Sequence, residues 1–436
     1  MTTRLTGLDA SFLYAETEAT PMHTLEVMVV ERPPTDRRRP EEVVRAALER
    51  ALERLPALRV RAVEGSALGH PRWEEAPVDL DRHVRFERLW SRSDEDASRA
   101  IAAHLEGTLP RDRPLWSLLV LVHPGSRRLT LALKHHHALT DGVGFARMLE
   151  VLAGQAEPIA YEGPPRRGLW ARARALFALI ASSIAGLWRS RAHRQPLPFR
   201  GGRWAFNAPV GPRRRLARAK LPLAQLRRAR TALAPDATIN DLLLSLVAGA
   251  LRGLGAARGE DVGRALIAAQ PVALERRPHD RGNFLSALLA PLHVEIDDPK
   301  ARLEATRDAT VAAKAAHQAR GRELVARWSE LLPGAVLRVF WSAIRALPRP
   351  PANVVVSNVV GAATVLPLGA ARLEEVYLVG PLLPTTGLNV TFYRHADAVF
   401  VCVLSADTCE PRAVADAIVA DLDALAADAP RDSLAA

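Results

Sequence analysis

A short histidine segment gives this sequence its clearest chemical signal. Residues 136–142 read HHALTDG and fit the pattern HHxxxDG. A neutral imidazole, whose ordinary pKa is near 6.5, is the side chain best able to take a proton from an alcohol or amine at neutral pH. His136 and His137 are therefore candidate catalytic groups, whereas Asp141 is better suited to fixing their surroundings. Gly142 is expected to give the chain the freedom for a tight turn. The pattern alone leaves a catalytic and a structural role equally open.

The elements around this segment predict its position in the fold. Leu129, Leu131 and Leu133 alternate as in a strand, and helical spacing of apolar residues resumes over 143–152. The histidines should therefore lie at a strand-to-helix junction. Because neighbouring residues of a strand point to opposite faces, His136 and His137 are not expected to share a metal ion. We predict no metal site.

Length and composition limit the class of protein. The 436 residues are 48% hydrophobic and 25% charged, which is an ordinary globular composition and excludes general disorder. Strand and helix signals alternate in both halves, so the predicted fold class is α/β. Cys402 and Cys409 are too few for a disulfide framework, which favours a reducing compartment. No uninterrupted apolar run approaches about 18 residues, and the first 25 residues do not resemble an export signal; we therefore predict a cytoplasmic protein.

Positive charge is concentrated in one segment. The formal net charge is +11, yet residues 160–220 alone carry +13, so the rest of the chain is slightly acidic. Proline clusters flank this segment and predict a division into an N-terminal half (1–165), a basic linker (166–220) and a C-terminal half (221–436). Because no nucleic-acid-binding motif accompanies the charge, nucleic acid is not an expected partner.

Several short motifs occur in an order that resembles a known family. LDASFLY lies at 8–14, PLW at 114–116, ND at 240–241 and SNVVG at 357–361, with HHxxxDG between them. Together they resemble the bacterial wax ester synthase/diacylglycerol acyltransferase family over nearly the whole chain. The sequence departs from the family pattern at Val360 and Ala362, where the family usually has proline.

The resemblance implies a fold and a reaction. The fold would be the two-domain, chloramphenicol-acetyltransferase-like fold of CoA-dependent acyltransferases, with a tunnel between the halves. His137 would deprotonate a long-chain alcohol or a diacylglycerol as it attacks acyl-CoA, and would then protonate the leaving thiolate. His136 and Asp141 would hold the loop in place. Acyl-CoA would be a co-substrate, and no bound cofactor is expected.

Two further motifs are candidates for supporting the site. Asn240 could donate a hydrogen bond to an oxyanion, because an amide donates without titrating. An asparagine before a long apolar helix is more simply an N-cap, Thr238 is another candidate for that cap, and Asp241 suits the first turn. Ser357 and Asn358 could line a cavity or begin a turn. The alternatives to this activity are a silent lipid- or CoA-binding homologue, and an acyltransferase acting on a polyketide or peptide hydroxyl or amine.

The basic linker contains a predicted amphipathic helix within 168–191. Its apolar residues recur at helical spacing in a stripe about 120° wide, and Arg172, Arg174 and Arg189 lie off that stripe. The commoner arrangement in soluble proteins is packing of such a stripe on a domain. The alternatives are reversible docking on an anionic membrane or a lipid inclusion, and binding of CoA phosphates by the arginines. The stripe consists of Leu169, Trp170, Ala173, Leu176, Phe177, Ile180, Ile184, Leu187 and Trp188.

Overall fold

Two six-stranded sheets form the frame of the molecule, and a three-stranded sheet lies beside them. The computed structural model describes residues 2–66, 68–91, 93–123, 125–157, 164, 168–193, 196–275 and 282–428. In chain order, the elements of these residues are β1 (Thr2–Arg4), α1 (Gly7–Ala15), β2 (His23–Glu31), α2 (Pro40–Arg54), β3 (Val60–Val63), β4 (Arg72–Glu75), α3 (Leu80–His83), β5 (Val84–Arg88), α4 (Asp94–Leu105), β6 (Trp116–Val122), β7 (Arg128–His136), α5 (Gly142–Leu152), α6 (Leu169–Ser190), β8 (Arg215–Pro222), α7 (Leu223–Leu233), α8 (Ile239–Ala257), β9 (Leu266–Ala273), β10 (Leu285–Leu292), α9 (Pro299–Arg320), α10 (Leu324–Leu331), α11 (Gly334–Ala346), β11 (Val354–Val360), β12 (Leu366–Leu368), β13 (Ala371–Val379), β14 (Leu388–His395), β15 (Ala398–Ser405) and α12 (Pro411–Ala427).

The first large sheet carries the histidine segment. Its strand order is β12-β13-β2-β7-β6-β5, so β7 lies inside the sheet and is antiparallel to both neighbours. Its residues pair along their whole length with β2, ending at His136 opposite His23. Helix α5 then begins at Gly142, with Asp141 as its N-cap. The predicted junction of strand and helix is where the structure places the motif.

The second large sheet has the order β10-β9-β11-β14-β15-β8. Helix α8 lies on it with most of its apolar residues in the core, beside α9 and α12. Thr238 is the N-cap of α8, and its side chain accepts a hydrogen bond from the Asp241 N–H. Asn240 therefore is not the cap, and its side chain is available for another contact.

The assignment of strands to the two large sheets does not follow their order in the chain. Strands β12 and β13 come from the C-terminal half but join the first sheet, where β13 pairs with β2. Strand β8 spans the predicted boundary at 220/221 and pairs with β15 of the second sheet along its whole length. The predicted boundary at 165/166 lies outside the described residues. The first sheet therefore contains strands from both halves of the chain, and the second sheet is completed by a strand that begins in the linker.

The apolar stripe of α6 faces outward. Trp170 and Trp188 are 87% and 73% exposed, and Phe177 and Ile184 are exposed as well. The opposite face packs on the protein through Leu179, Ser183 and Gly186. At Gly186 any side chain would come within 2.8 Å of the Arg320 carbonyl of α9. The expectation that the stripe packs on a domain is therefore wrong. The side chain of Leu169 lies outside the described residues.

Two helices of the described chain have the length and composition to cross a membrane. Residues 239–257 form the core helix α8, and 61% of its apolar window is buried, as in a soluble domain. Residues 170–190 belong to α6, of which only 11% is buried. Two such helices are weak grounds for a membrane span.

Candidate active site

The three histidines at the end of β7 have three different surroundings. His135 and His136 are buried, whereas His137 keeps partial exposure. The ring of His135 lies 3.0 Å from a carboxylate oxygen of Glu26. Burial alone would lower the pKa of His135, but the Glu26 carboxylate reverses this and raises it. His135 is therefore paired with a buried carboxylate.

His136 has a polar neighbour at each ring nitrogen. Its Nδ1 accepts a hydrogen bond from the Ala138 N–H at 3.0 Å, so a neutral ring carries its proton on Nε2. That Nε2 lies 3.2 Å from a carboxylate oxygen of Glu16, which also pairs with Arg111. Burial lowers the pKa of His136, and Glu16 opposes part of that shift. These contacts are consistent in geometry with a support of the loop, and that role of His136 stays a prediction.

His137 is the histidine with a chemically free nitrogen. Its Nδ1 lies 2.9 Å from Oδ1 of Asn283, and Nε2 has no hydrogen-bond partner among the described residues. Phe12 stacks on the ring with centroids 4.1 Å apart and planes inclined by 4°. Burial lowers the pKa of His137 to about 4, so the ring is neutral at pH 7 and can accept a proton.

Asn283 is a residue of the candidate site that sequence reasoning missed. Its backbone N–H and its side-chain amide each donate to Oδ1 of Asp9 at 2.8 Å, and the amide also donates to the His137 carbonyl at 2.7 Å. Asp9 is fully buried, and burial raises its pKa to about 6. Asp9 lies in the quoted LDASFLY motif. By contrast, Asn283 has no local signal, because it reaches His137 from the C-terminal half.

Asp141 and Gly142 fix the turn after the histidines. Asp141 accepts from the Gly144 N–H and, with its second oxygen, from the Phe284 N–H, both at 2.9 Å. Gly142 does not have a positive φ, so turn freedom is not the reason for glycine here. A side chain at 142 would lie 2.9 Å from Val359 and Leu378. Glycine suits this position because methyl groups of Val359 on β11 and Leu378 on β13 lie close to the start of α5.

The ND and SN motifs meet each other but make no described contact with His137. Asp241 accepts hydrogen bonds from the Thr238 N–H at 2.8 Å and from the Thr310 hydroxyl at 2.6 Å, which is a structural arrangement. The side chain of Asn240 accepts from that of Asn358 at 3.4 Å. Both amides are half-buried, as is Ser357. An oxyanion role for Asn240 stays a prediction.

The described residues contain no group of three or more histidine, cysteine, aspartate or glutamate side chains arranged to hold a metal ion. The histidines of the motif are instead divided between Glu26, Glu16 and Asn283.

The fold is shared with solved structures of other proteins. It matches the wax ester synthase/diacylglycerol acyltransferase from Marinobacter aquaeolei VT8 with a TM-score of 0.67 and 23% identity, over 98% of this chain and 100% of the other. It also matches the first condensation domain of the CDA synthetase with a TM-score of 0.61 and 19% identity, over 98% and 97% of the two chains. The predicted two-domain α/β fold of CoA-dependent acyltransferases is confirmed.

Sequence comparison identifies the family. A model described as the wax ester synthase/diacylglycerol acyltransferase catalytic domain matches residues 5–243, and the C-terminal domain of the same family matches 281–426. A provisionally named diacylglycerol O-acyltransferase of Mycobacterium tuberculosis H37Rv is 31% identical over 96% of this chain and 94% of its own length. A protein of the same name from Mycobacterium bovis is 30% identical over 89% and 83%. The chain belongs to the wax ester synthase/diacylglycerol acyltransferase family and is an acyltransferase.

The first prediction concerns Asp141. Asp141→Ala removes the acceptor of two backbone N–H groups, one at the start of α5 and one in the C-terminal half. We expect a loss of about 2 kcal/mol in the free energy of unfolding, measured with denaturant, together with a lower rate. Asp141→Asn keeps one acceptor oxygen and should lose less. An Asp141→Ala protein with the parent's stability would contradict the structural role of this carboxylate.

The second prediction concerns the ionisation of His137. In NMR spectra, the Cε1 signal that disappears in His137→Gln should show no protonation shift between about pH 8 and about pH 5, because burial keeps the ring neutral. A midpoint near the ordinary value of about 6.5 would contradict this. Since the native ring binds its proton only near pH 4, whereas the unfolded ring binds one near 6.5, this group should lower stability as the pH falls between those values.

Proposed function

We propose that His137 is the general base of this acyltransferase, and that its acceptors are long-chain alcohols or diacylglycerols. The observation that carries the proposal is the state of the ring: His137 alone among the three histidines is partly exposed, and it is held through Nδ1 while Nε2 has no described partner. A neutral imidazole held in this way can accept a hydroxyl proton on Nε2.

The reaction follows from that geometry. The acceptor hydroxyl gives its proton to Nε2 of His137 while its oxygen attacks the thioester carbon of acyl-CoA. The tetrahedral intermediate then collapses, the C–S bond breaks, and the CoA thiolate takes the proton back from Nε2. The products are an ester and free CoA. No acyl-enzyme forms, because the acceptor oxygen attacks the thioester directly.

Phe12, which stacks on His137, supports this role, and the Asn240–Asn358 pair is a candidate for a second contribution. During the reaction the ring becomes an imidazolium, and Phe12 stacks on it at 4.1 Å, within the range of a favourable cation–π contact. Asn358 lies near the end of β11 and Asn240 at the start of α8, and Val359, which follows Asn358, packs near Gly142. The two amides are the candidate donors to the oxyanion of the intermediate.

The third prediction tests the base and the acceptor together. Purified protein with palmitoyl-CoA is offered hexadecanol, diacylglycerol or water, and both free thiol and neutral lipid are measured. Ester should form with at least one acceptor, in step with thiol release. His137→Gln should reduce transfer by about 10²- to 10⁴-fold while thermal unfolding changes little. His293→Ala, at a part-exposed histidine bonded to Glu295, is the matched control and should retain activity.

The outcomes separate the alternatives. Thiol release without ester would indicate a thioesterase, and neither product would indicate a silent lipid- or CoA-binding homologue. Activity only towards an amine or a polyketide hydroxyl would support the alternative acceptor class. Full transfer by a folded His137→Gln protein would contradict the role of His137 as the base.

We also propose that the outer face of α6 docks on an anionic membrane surface on the cytoplasmic side. This face presents Trp170, Phe177, Ile184 and Trp188 to the outside, although large apolar residues of a soluble protein are usually covered. The surrounding segment 160–220 carries a net charge of +13. Aromatic residues on one face with arginines beside it are typical of a helix that lies in a membrane interface. The acceptors are lipids, so such docking would bring the site to its substrate.

The fourth prediction tests docking by vesicle flotation. The parent protein should float with vesicles containing phosphatidylglycerol, less so at high salt, and hardly with pure phosphatidylcholine. Trp170→Ser/Trp188→Ser should abolish flotation, because it removes both exposed tryptophans of this face. Arg174→Gln/Arg191→Gln should weaken it. Arg172 and Arg189 are left intact, because they donate to backbone carbonyls of Leu331 and Ala319 and so hold the helix in place.

Equal flotation of parent and variants would contradict the docking proposal. If the arginine variant floats normally but needs much more acyl-CoA to reach half its maximal rate, these arginines bind CoA phosphates instead.

A further inference from the structure

We propose that Asn283 and Asp9 are positioning residues that fix His137 in the tautomer with its proton on Nδ1, and so leave Nε2 free to act as the base. This inference rests on the proposed function of His137. It concerns which nitrogen of the ring carries the proton, and which residues decide this.

The orientation of the Asn283 amide is determined by its surroundings. Its nitrogen faces two oxygens, Oδ1 of Asp9 at 2.8 Å and the carbonyl of His137 at 2.7 Å. If the amide were turned over, its oxygen would face both of those oxygens and two hydrogen bonds would become repulsive contacts. Oδ1 of Asn283 therefore points at Nδ1 of His137, 2.9 Å away.

The tautomer follows from that orientation. An amide oxygen can only accept, so Nδ1 of His137 must be the donor and must carry the proton of the neutral ring. The lone pair is then on Nε2. In the other tautomer two acceptors would face each other at Nδ1, and the proton on Nε2 would leave no lone pair for the acceptor hydroxyl. In histidine chemistry generally, the hydrogen bond made by one ring nitrogen sets the state of the other.

Asp9 is built to hold the amide. Its Oδ2 accepts from the Thr6 hydroxyl at 2.7 Å, and its Oδ1 accepts twice from Asn283. Gly282 allows this close approach: its φ is +85°, and a side chain there would lie 2.5 Å from the Asp9 carboxylate. A fully buried carboxylate surrounded by donors is a fixed acceptor, which keeps the amide nitrogen, rather than the amide oxygen, on its side.

The contacts among Asp9, Asn283 and His137 join the two halves of the chain. Asp9 and His137 lie within residues 5–243, which match the catalytic domain of the family, whereas Asn283 lies within the C-terminal domain at 281–426. The correct tautomer is therefore imposed only when the C-terminal half is seated on the N-terminal half. A loosened interface would leave the ring in place but free to put its proton on the wrong nitrogen.

The experiment compares four proteins in the full-length chain. Asn283→Ala should lower kcat on the order of 10²-fold or more, with little change in KM for acyl-CoA, because the ring loses the acceptor that selects its tautomer. Asn283→Asp should also be slow, because it sets a second carboxylate against Asp9. The double variant Asp9→Asn/Asn283→Asp exchanges the two groups. It should regain only part of the kcat that Asn283→Asp loses: the new carboxylate can accept from Nδ1 and no longer faces the Asp9 carboxylate, but one of its oxygens faces the His137 carbonyl.

The double variant carries a signature that a structural role would not produce. Its carboxylate lies against His137, so the acid limb of kcat/KM should move up by about one pH unit or more relative to the parent. Asn353→Ala removes another buried amide, one bonded to Gly202 and to Asn207, and serves as the control. It should lose stability but keep the parent's pH profile.

Nitrogen-15 NMR of the histidines gives a direct readout of the tautomer. The His137 ring, identified by its absence in His137→Gln, should be protonated on Nδ1 in the parent and should shift towards protonation on Nε2 in Asn283→Ala. Protonation on Nε2 in the parent would overturn the proposal. So would a folded Asn283→Ala protein whose kcat lies within about threefold of the parent's. If that variant is active while His137→Gln is inactive, the positioning role fails and the base survives; if both are active, the proposed function itself fails.

Discussion

Two carboxylates of the N-terminal half hold two consecutive backbone N–H groups of the C-terminal half, and the geometry of the site depends on them. Asp9 accepts from the N–H of Asn283, and Asp141 accepts from the N–H of Phe284. Each carboxylate has a second local function, since Asp9 orients the Asn283 amide and Asp141 caps α5. The same few atoms therefore join the halves, end the histidine turn and orient the ring.

The sheets give these contacts a rigid support. The histidine segment lies at the end of β7, an inner strand that is hydrogen-bonded to a neighbour on both sides. The end of β7 is therefore fixed more tightly than the end of an edge strand. Around it, His135 and His136 are occupied by the carboxylates of Glu26 and Glu16. His137 differs from both in its partial exposure and in having no described hydrogen-bond partner at Nε2. Three adjacent residues with the same side chain are therefore placed in three different surroundings.

The sequence predicts those features that depend on local pattern. The alternating leucines of β7, the helical spacing of α5 and the ordered family motifs place the histidines correctly. Asn283 could not be found in this way, because its role depends on an approach between residues far apart in the chain. For α6, the predicted apolar stripe is present, but it faces outward instead of packing on a domain. Small residues such as Ser183 and Gly186 allow the opposite face to pack closely. At α8, a capping hydrogen bond identifies Thr238 rather than Asn240 as the N-cap, and residue spacing alone cannot make that distinction.

The crossover of β13 has a consequence for how the chain is made. The first sheet needs β13 as the neighbour of β2, and β13 ends at Val379. As the chain emerges from the ribosome, one edge of β2 stays unpaired until β13 is synthesised. The linker and most strands of the second sheet are made before that. An unpaired inner strand is a template for wrong pairing, both with other chains and with later segments of its own. The first sheet, and the site at the end of β7, can therefore be completed only late in synthesis, after β13 has been made.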